Sequence, residues 1–154
     1  MTTVRIEGFK ELEAELEKLA RPAARKASAR RALRKAAEPM AALAQSLAPR
    51  GETGTLAPSV SIGTRLSKRQ QGLHRRMFRN DRAAVEMFVG AGPLASAHTQ
   101  EFGTIHHSPQ PFLRPAFDQD KDAMLDRLKA ELWADIQKAV ARAERRAARA
   151  AARA

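Results

Sequence analysis

Between Pro109 and Phe117 the chain reads Pro-Gln-Pro-Phe-Leu-Arg-Pro-Ala-Phe, three prolines within seven positions. Proline lacks a backbone N–H and fixes its own φ, so this stretch is denied a regular helix or a central strand. Yet Phe112, Leu113 and Phe117 are side chains that favour burial. A stiff, apolar, proline-punctuated segment has one path to take against the rest of the molecule. It leads into a strongly amphipathic stretch, so its expected task is to dock a helix on whatever precedes it.

At 154 residues a single domain with a modest core is expected. Thirty-two of the apolar residues are alanines, which bury little area at roughly 25 cal/mol per Å². The core is therefore expected to be thin and to gain burial through self-association. No cysteine is present, which excludes disulfides, thiolate metal sites and thiol nucleophiles. With no membrane-spanning run or signal peptide in view, a soluble product of the cytoplasm and no membrane partner are expected. The net charge of +11 is uneven. Segment 21–37 holds seven Lys/Arg and no acid, 65–82 holds seven against Asp81, and 138–154 holds six against Glu144. Five glutamates, from Glu7 to Glu17, gather near the start. Basic fields of this size favour polyanions, nucleic acid first among them, and solvated Arg/Ala helix faces are the plainer alternative.

Alternation of Val4 and Ile6 with Arg5 and Glu7 predicts a short strand, and Phe9, Leu12, Leu16 and Leu19 predict a following helix. A second helix has its apolar seam at Leu33, Ala36, Met40, Leu43 and Leu47, with a kink or break expected near Ala36 because Pro39 lies inside it. Residues 49–55 are turn-rich. Val60, Ile62 and Leu66, then Val85, Met87 and Val89, predict two strands able to pair as a hairpin across a long basic 67–82 loop. Ala95 to Phe102 reads as a short helical turn or an irregular segment, and Gly103-Thr104-Ile105 as a candidate last strand. After Pro115, Met124, Leu125, Leu128, Leu132, Ile136 and Val140 form a helical stripe that Trp133 widens. Beyond Ala141 only alanine and charge remain, and that tail either continues the helix or frays. The fold class expected is α+β: a small, mostly antiparallel sheet of three to four strands, two to three helices packed on one face, and a long C-terminal helix.

Chemistry is sparse. His98, Glu101, His106 and His107 are the only conceivable metal set, and their spacing matches no ligand pattern, so no metal and no cofactor are expected. Ser96, Thr104 and Ser108 sit near histidines without a strained turn to expose a nucleophile. Gly51-Glu52-Thr53-Gly54 and Gly90-Ala91-Gly92 lack the lysine and the strand-to-helix setting of a phosphate loop. With no tyrosine and one tryptophan, stacking platforms for single strands are poorly supplied. No catalytic residue is assigned and no enzymatic activity is expected.

Several motifs occur in order: Val-Arg-Ile-Glu-Gly-Phe-Lys-Glu-Leu from Val4, Leu47-Ala48-Pro49, Thr53-Gly54-Thr55-Leu56, Val89-Gly90-Ala91-Gly92-Pro93, Glu101-Phe102-Gly103-Thr104, and Pro111-Phe112-Leu113-Arg114-Pro115-Ala116. Over about residues 3–140 this resembles the minor virion proteins of long-tailed phages of the Hong Kong 97 gene-ten type, called neck, head–tail joining or tail-completion proteins. The basic 67–82 insertion and the Ala/Arg tail depart from that pattern. The resemblance implies a domain over 1–140 with a helical tail at 141–154. It also implies a homo-oligomeric ring, typically a hexamer, at the head–tail junction of the virion. Such a ring caps the tail tube as a terminator, meets the head connector or stopper, and leaves a channel for DNA. Structural motif residues are then Glu101, Phe102, Gly103, Pro111, Phe112, Leu113, Arg114 and Pro115; Glu101 and Phe102 are expected to anchor the turn into the proline segment, and Arg114 to pair with a carboxylate such as Glu101 or, alternatively, to meet a neighbour at an interface. Arg69, Arg75, Arg76, Arg79 and Arg82 of the basic loop are the candidates for facing DNA in the channel, with the arginine tail as the alternative. The alternative is a free basic nucleic-acid-binding protein gripping duplex backbone.

Overall fold

The computed structural model describes residues 22–51, 53–78 and 85–153. Along them run α1 (Pro22–Leu47), α2 (Leu56–Ser59), β1 (Ser61–Gly63), α3 (Lys68–Met77), β2 (Phe88–Gly90), α4 (Ala95–Phe102) and α5 (Leu113–Ala151). The strand expected at 3–7 and the helix expected after it lie outside the described residues.

The spine is the antiparallel pair α1 and α5. Its seam on α1 is mostly alanine: Ala32, Ala36, Ala37, Ala41 and Ala44 are buried, with Met40 among them. Short side chains let the helix backbones approach closely, so the alanines that add little area each still set the packing distance. Leu132 and Ile136 of α5 fill one cluster with Ala32, and Leu128, Ala29 and Val140 lie around it. The second cluster holds Ala41, Ala44, Ala48, Leu56, Val60, Ala97, Phe112 and Ala116, joining the helix pair to the hairpin and to α4. Trp133, expected to widen the stripe, is 43% exposed.

One edge of the pair is polar and fixes its register. The buried Ser28 hydroxyl donates to Asp135 Oδ2 at 3.1 Å, and Arg31 Nε donates to the same oxygen at 3.0 Å. One turn on, Lys35 Nζ donates to Glu131 Oε2 at 3.0 Å. The hydrogen bond and charge of Glu131 hold Lys35 above the ordinary lysine range. Arg127, paired with Asp120, donates from Nε and a terminal nitrogen to the Ala36 carbonyl at 3.3 and 3.2 Å.

Of the kink or break expected near Ala36, the break does not occur: α1 is continuous from Pro22 to Leu47 with Pro39 inside it. Proline removes a donor from the preceding turn. The carbonyl it deprives is that of Lys35, one residue before the Ala36 carbonyl that Arg127 bonds; what holds the turn is the packed seam, with Ala36, Ala37 and Met40 buried on either side of the proline.

Elsewhere the elements are shorter or more helical than expected. The hairpin forms, with Ser61 opposite Gly90, Ile62 opposite Val89 and Gly63 opposite Phe88. Each strand is three residues long, and the sheet among the described residues has two strands. The fold is thus α+β and mostly helical, with the expected long C-terminal helix. Gly103-Thr104-Ile105 makes no strand; Thr104 forms an isolated bridge to His107 across a tight turn. The basic loop is a helix over its described part. Ser67 Oγ accepts from Gln70 N and Gln70 Oε1 accepts from Ser67 N, a reciprocal cap that starts α3. Finally, α5 begins at Leu113, two residues before Pro115. A proline in the first turn loses only an N–H that has no intrahelical partner there. The helix continues unbroken through the Ala/Arg tail to Ala151.

Replacing Arg127 by methionine keeps most of its aliphatic bulk but strips its donors. It is expected to lower stability by about 1–3 kcal/mol in urea unfolding. The same change at exposed Arg142 is expected to stay within about 0.5 kcal/mol.

Candidate functional site

The motif Glu101-Phe102-Gly103-Thr104 and the proline segment meet in space as a clasp. Glu101 stands near the end of α4 and turns its carboxylate onto the start of α5. Oε2 accepts the backbone N–H of Phe112 at 2.9 Å and of Leu113 at 3.0 Å, and Oε1 accepts that of Arg114 at 3.0 Å. The residue at the N-cap position, Phe112, has no side chain able to cap, so a glutamate eleven residues earlier performs that role. A carboxylate here also meets the positive end of the helix macrodipole. Burial works against the charged form of Glu101, but the donors of Phe112, Leu113 and Arg114 and the Arg114 charge outweigh it and hold the carboxyl below its ordinary range. The expectation that Arg114 pairs with Glu101 is corrected in kind: the bond is to the Arg114 backbone, and the exposed Arg114 side chain forms no ion pair with it among the described residues.

Gly103 makes the crossing possible. It takes φ +74 as the cap of α4, and a Cβ there would lie 2.9 Å from the His107 carbonyl oxygen and from Pro109 N and Cδ. Two of the close neighbours are backbone atoms, so a side chain has no cheap escape. Around it, Gln110 N donates to Gln100 O at 2.7 Å and Thr104 N to His107 O at 2.8 Å. Of the anticipated motif residues, Phe112 is fully buried, Leu113 and Pro115 are half-buried and Pro111 is exposed. Phe102 does not anchor the turn: it is 59% exposed and its ring lies 4.9 Å from that of His98. Ile105, at the tip of the same turn, is 93% exposed.

The anticipated DNA-facing arginines fall elsewhere. Arg69, Arg75 and Arg76 lie on α3, whereas Arg79 and Arg82 are outside the described residues. His74 ties α3 to the hairpin: its ring packs at 4.8 Å from Phe78 and edge-on at 5.4 Å from Phe88, with Nε2 3.5 Å from Glu86 Oε1. At helical spacing Lys68, Arg69, Arg75 and Arg76 fall on the side away from His74, around Gly72, beside which a Cβ would meet open space. The Ser67-to-Gln70 spacing signalled this helix; nothing in the sequence signalled that Gly72 would sit among the cations' face.

An apolar groove of about 1160 Å³ runs between α1, α5 and the hairpin, with Leu33, Met40, Phe88, Phe117 and Met124 among its walls. Among the described residues that line it, Arg65 and Arg114 are the charged ones, with no carboxylate or histidine. His98, His106 and His107 do not converge with Glu101, and the described residues hold no cluster of three or more metal-ligating side chains. No helix of the described residues is long and apolar enough to cross a membrane.

The described residues thus bring together a clasp, a basic helix and several large exposed apolar side chains. The family described as "Bacteriophage HK97-gp10, putative tail-component" matches residues 10–103, well over half of the chain, and the protein belongs to that family. It is a structural phage protein, at home in the virion among other virion proteins. The match takes in Glu101 and Gly103 and ends before the segment they hold. No curated protein and no solved structure matches the chain.

Because the folded carboxyl of Glu101 titrates below its unfolded value, its contribution is complete above about pH 4.5 and is lost as pH falls through the lower folded value. Glu101→Gln is expected to cost about 1–2 kcal/mol at pH 7. Its unfolding free energy should converge on that of the wild type in acid, as followed by urea unfolding from pH 7 to pH 3.

Proposed function

We propose that the protein forms a closed ring, six-fold, at the head-proximal end of the tail. It completes and caps the tube there, meets the head connector or stopper, and leaves a channel for DNA. Membership of a phage tail-component family is the observation that carries this reading. The thin core supports it: buried positions are largely alanine, while Phe102, Ile105, Leu73 and Met77 stand exposed, and a heterologous contact repeated around a ring would cover such side chains. In this reading residues 1–140 are the assembling domain and 141–154 an appended helical tail. The clasp at Glu101, Gly103 and Phe112 keeps the ring-forming surface rigid, and the role is structural, without catalysis.

The cationic side of α3 is then the surface turned to DNA. Its first turn carries Lys68 and Arg69 and no acid. Cations at that end oppose the macrodipole at roughly 0.3–1 kcal/mol each, so stability does not account for their place. They suit a weak, sequence-independent contact with passing phosphates.

Negative-stain images of the purified protein, alone and with tail tubes, test the ring. Rings or capped tubes are expected, and Ile105→Asp is expected to abolish them while leaving the circular dichroism of the subunit unchanged. A protein that remains monomeric with and without tubes sinks the reading. Arg75→Glu with Arg76→Glu is expected to leave assembly intact and to reduce DNA retention or delivery. Failure of assembly would instead place α3 in a subunit contact.

A further inference from the structure

The antiparallel pairing of α1 and α5 joins two basic blocks that lie a hundred residues apart in the chain. Contacts step from Ala36 with Arg127, through Lys35 with Glu131, to Ser28 and Arg31 with Asp135. Continued at 1.5 Å per residue, that register sets the start of α1 level with about Arg142. From there α5 runs on to Ala151, projecting roughly 15 Å past Pro22. Its last residue in the apolar cluster is Val140. Every side chain described from Arg142 to Arg153 is exposed.

On this projecting segment the charge is ordered. At 100° per residue Arg142, Arg145, Arg146 and Arg149 fall within an arc of roughly 100°, one arginine or more per turn, while Glu144 points to the opposite side. Exposed Lys26 and Arg30 stand at the same end of the pair, on α1. The clasp at Glu101 is at the other end, so the helix pair is electrically lopsided along its length.

We infer that this arginine-striped end of the helix pair is a second polyanion site, distinct from α3, and that its ligand is the phosphate backbone of duplex DNA. An interface with a protein draws its energy from buried aromatic and aliphatic anchors, and beyond Val140 the segment offers only alanine and charge. Single strands are held by stacking on aromatic rings, which the segment also lacks. What it does supply is a row of guanidinium groups at helical spacing on a helix made slim by alanine, suited to lie along a groove edge and neutralise phosphates without reading bases. The inference takes its setting, a particle through which DNA passes, from the proposed function, but the contact itself needs no ring.

The test is the salt dependence of binding by the full-length protein to a fluorescein-labelled random-sequence duplex, read by anisotropy between about 50 and 200 mM salt. Replacing Arg142, Arg145, Arg146 and Arg149 by glutamine, itself a good helix former, is expected to make the log–log slope shallower by roughly three to four and to weaken binding at least about tenfold. The corresponding four-lysine variant is expected to keep the wild-type slope, which separates loss of charge from loss of helix. The Arg69, Arg75 and Arg76 glutamine variant keeps most of the remaining slope if the two sites are distinct. No binding by the wild type, an unchanged slope in the four-glutamine variant, a four-lysine variant that fails with it, or labelled poly-glutamate held as tightly as duplex would each overturn the inference. Absence of rings alongside the expected slopes would count against the proposed function alone.

Discussion

The geometry of this protein depends on one carboxylate. The longest helix begins at a residue whose side chain has nothing to offer the open N–H groups behind it, and Glu101 supplies both oxygens from another element. Without it, three donors at a partly buried helix start lack a protein acceptor. With it, Phe112 is seated at full burial and Ala116 one turn later meets the seam of α1 and the buried Ala97 of α4. Placement of α5 along α1 follows from where its first turn is held. The polar edge then repeats the same register further along the pair, at Glu131 and Asp135.

The second organising fact is how little bulk the interior contains. Alanine lines most of the buried face of α1, so stability rests on close backbone approach and on directional contacts rather than on large side chains. Those contacts recur where packing is thinnest: Ser28 with Asp135, Arg127 with the Ala36 carbonyl beside Pro39, Gln45 with the Val60 carbonyl at 3.0 Å. The same economy leaves bulky groups such as Ile105 and Phe102 on the outside.

What was legible beforehand follows from the range of the forces involved. The end of α1 at Leu47, the hairpin pairing, α4 and the stripe of α5 rest on local periodicity and turn chemistry, and were readable in the sequence. The α3 helix was readable too, in the Ser67–Gln70 cap, but its charge density suggested a loop. At Pro39 the helix runs on because Ala36, Ala37 and Met40 are held in the packed seam on either side, a contact with α5 that local sequence does not display. The helix expected only after Pro115 starts three residues earlier than Ala116, at Leu113, because a first-turn proline is harmless. Glu101 was singled out with the correct neighbour and the wrong partner atom: a short motif shows that a glutamate matters, whereas choosing between a guanidinium and three backbone donors requires the fold. Ile105 carried no signal at all, since a lone isoleucine in a turn reads as core.

The length of α5 has a mechanical consequence. Its 39 residues make a rod of roughly 58 Å. One end is gripped by Glu101, and the grip is geometrically unforgiving because Gly103 leaves no room for a methyl group beside Pro109. A rod of that length turns small angles into large travel: a tilt of about 5° at the gripped end swings the far tip by about 5 Å. The contacts of Lys35 with Glu131 and of Ser28 and Arg31 with Asp135 are what oppose such a tilt, so the span between the clasp and the arginines is set by two separate grips on one rod.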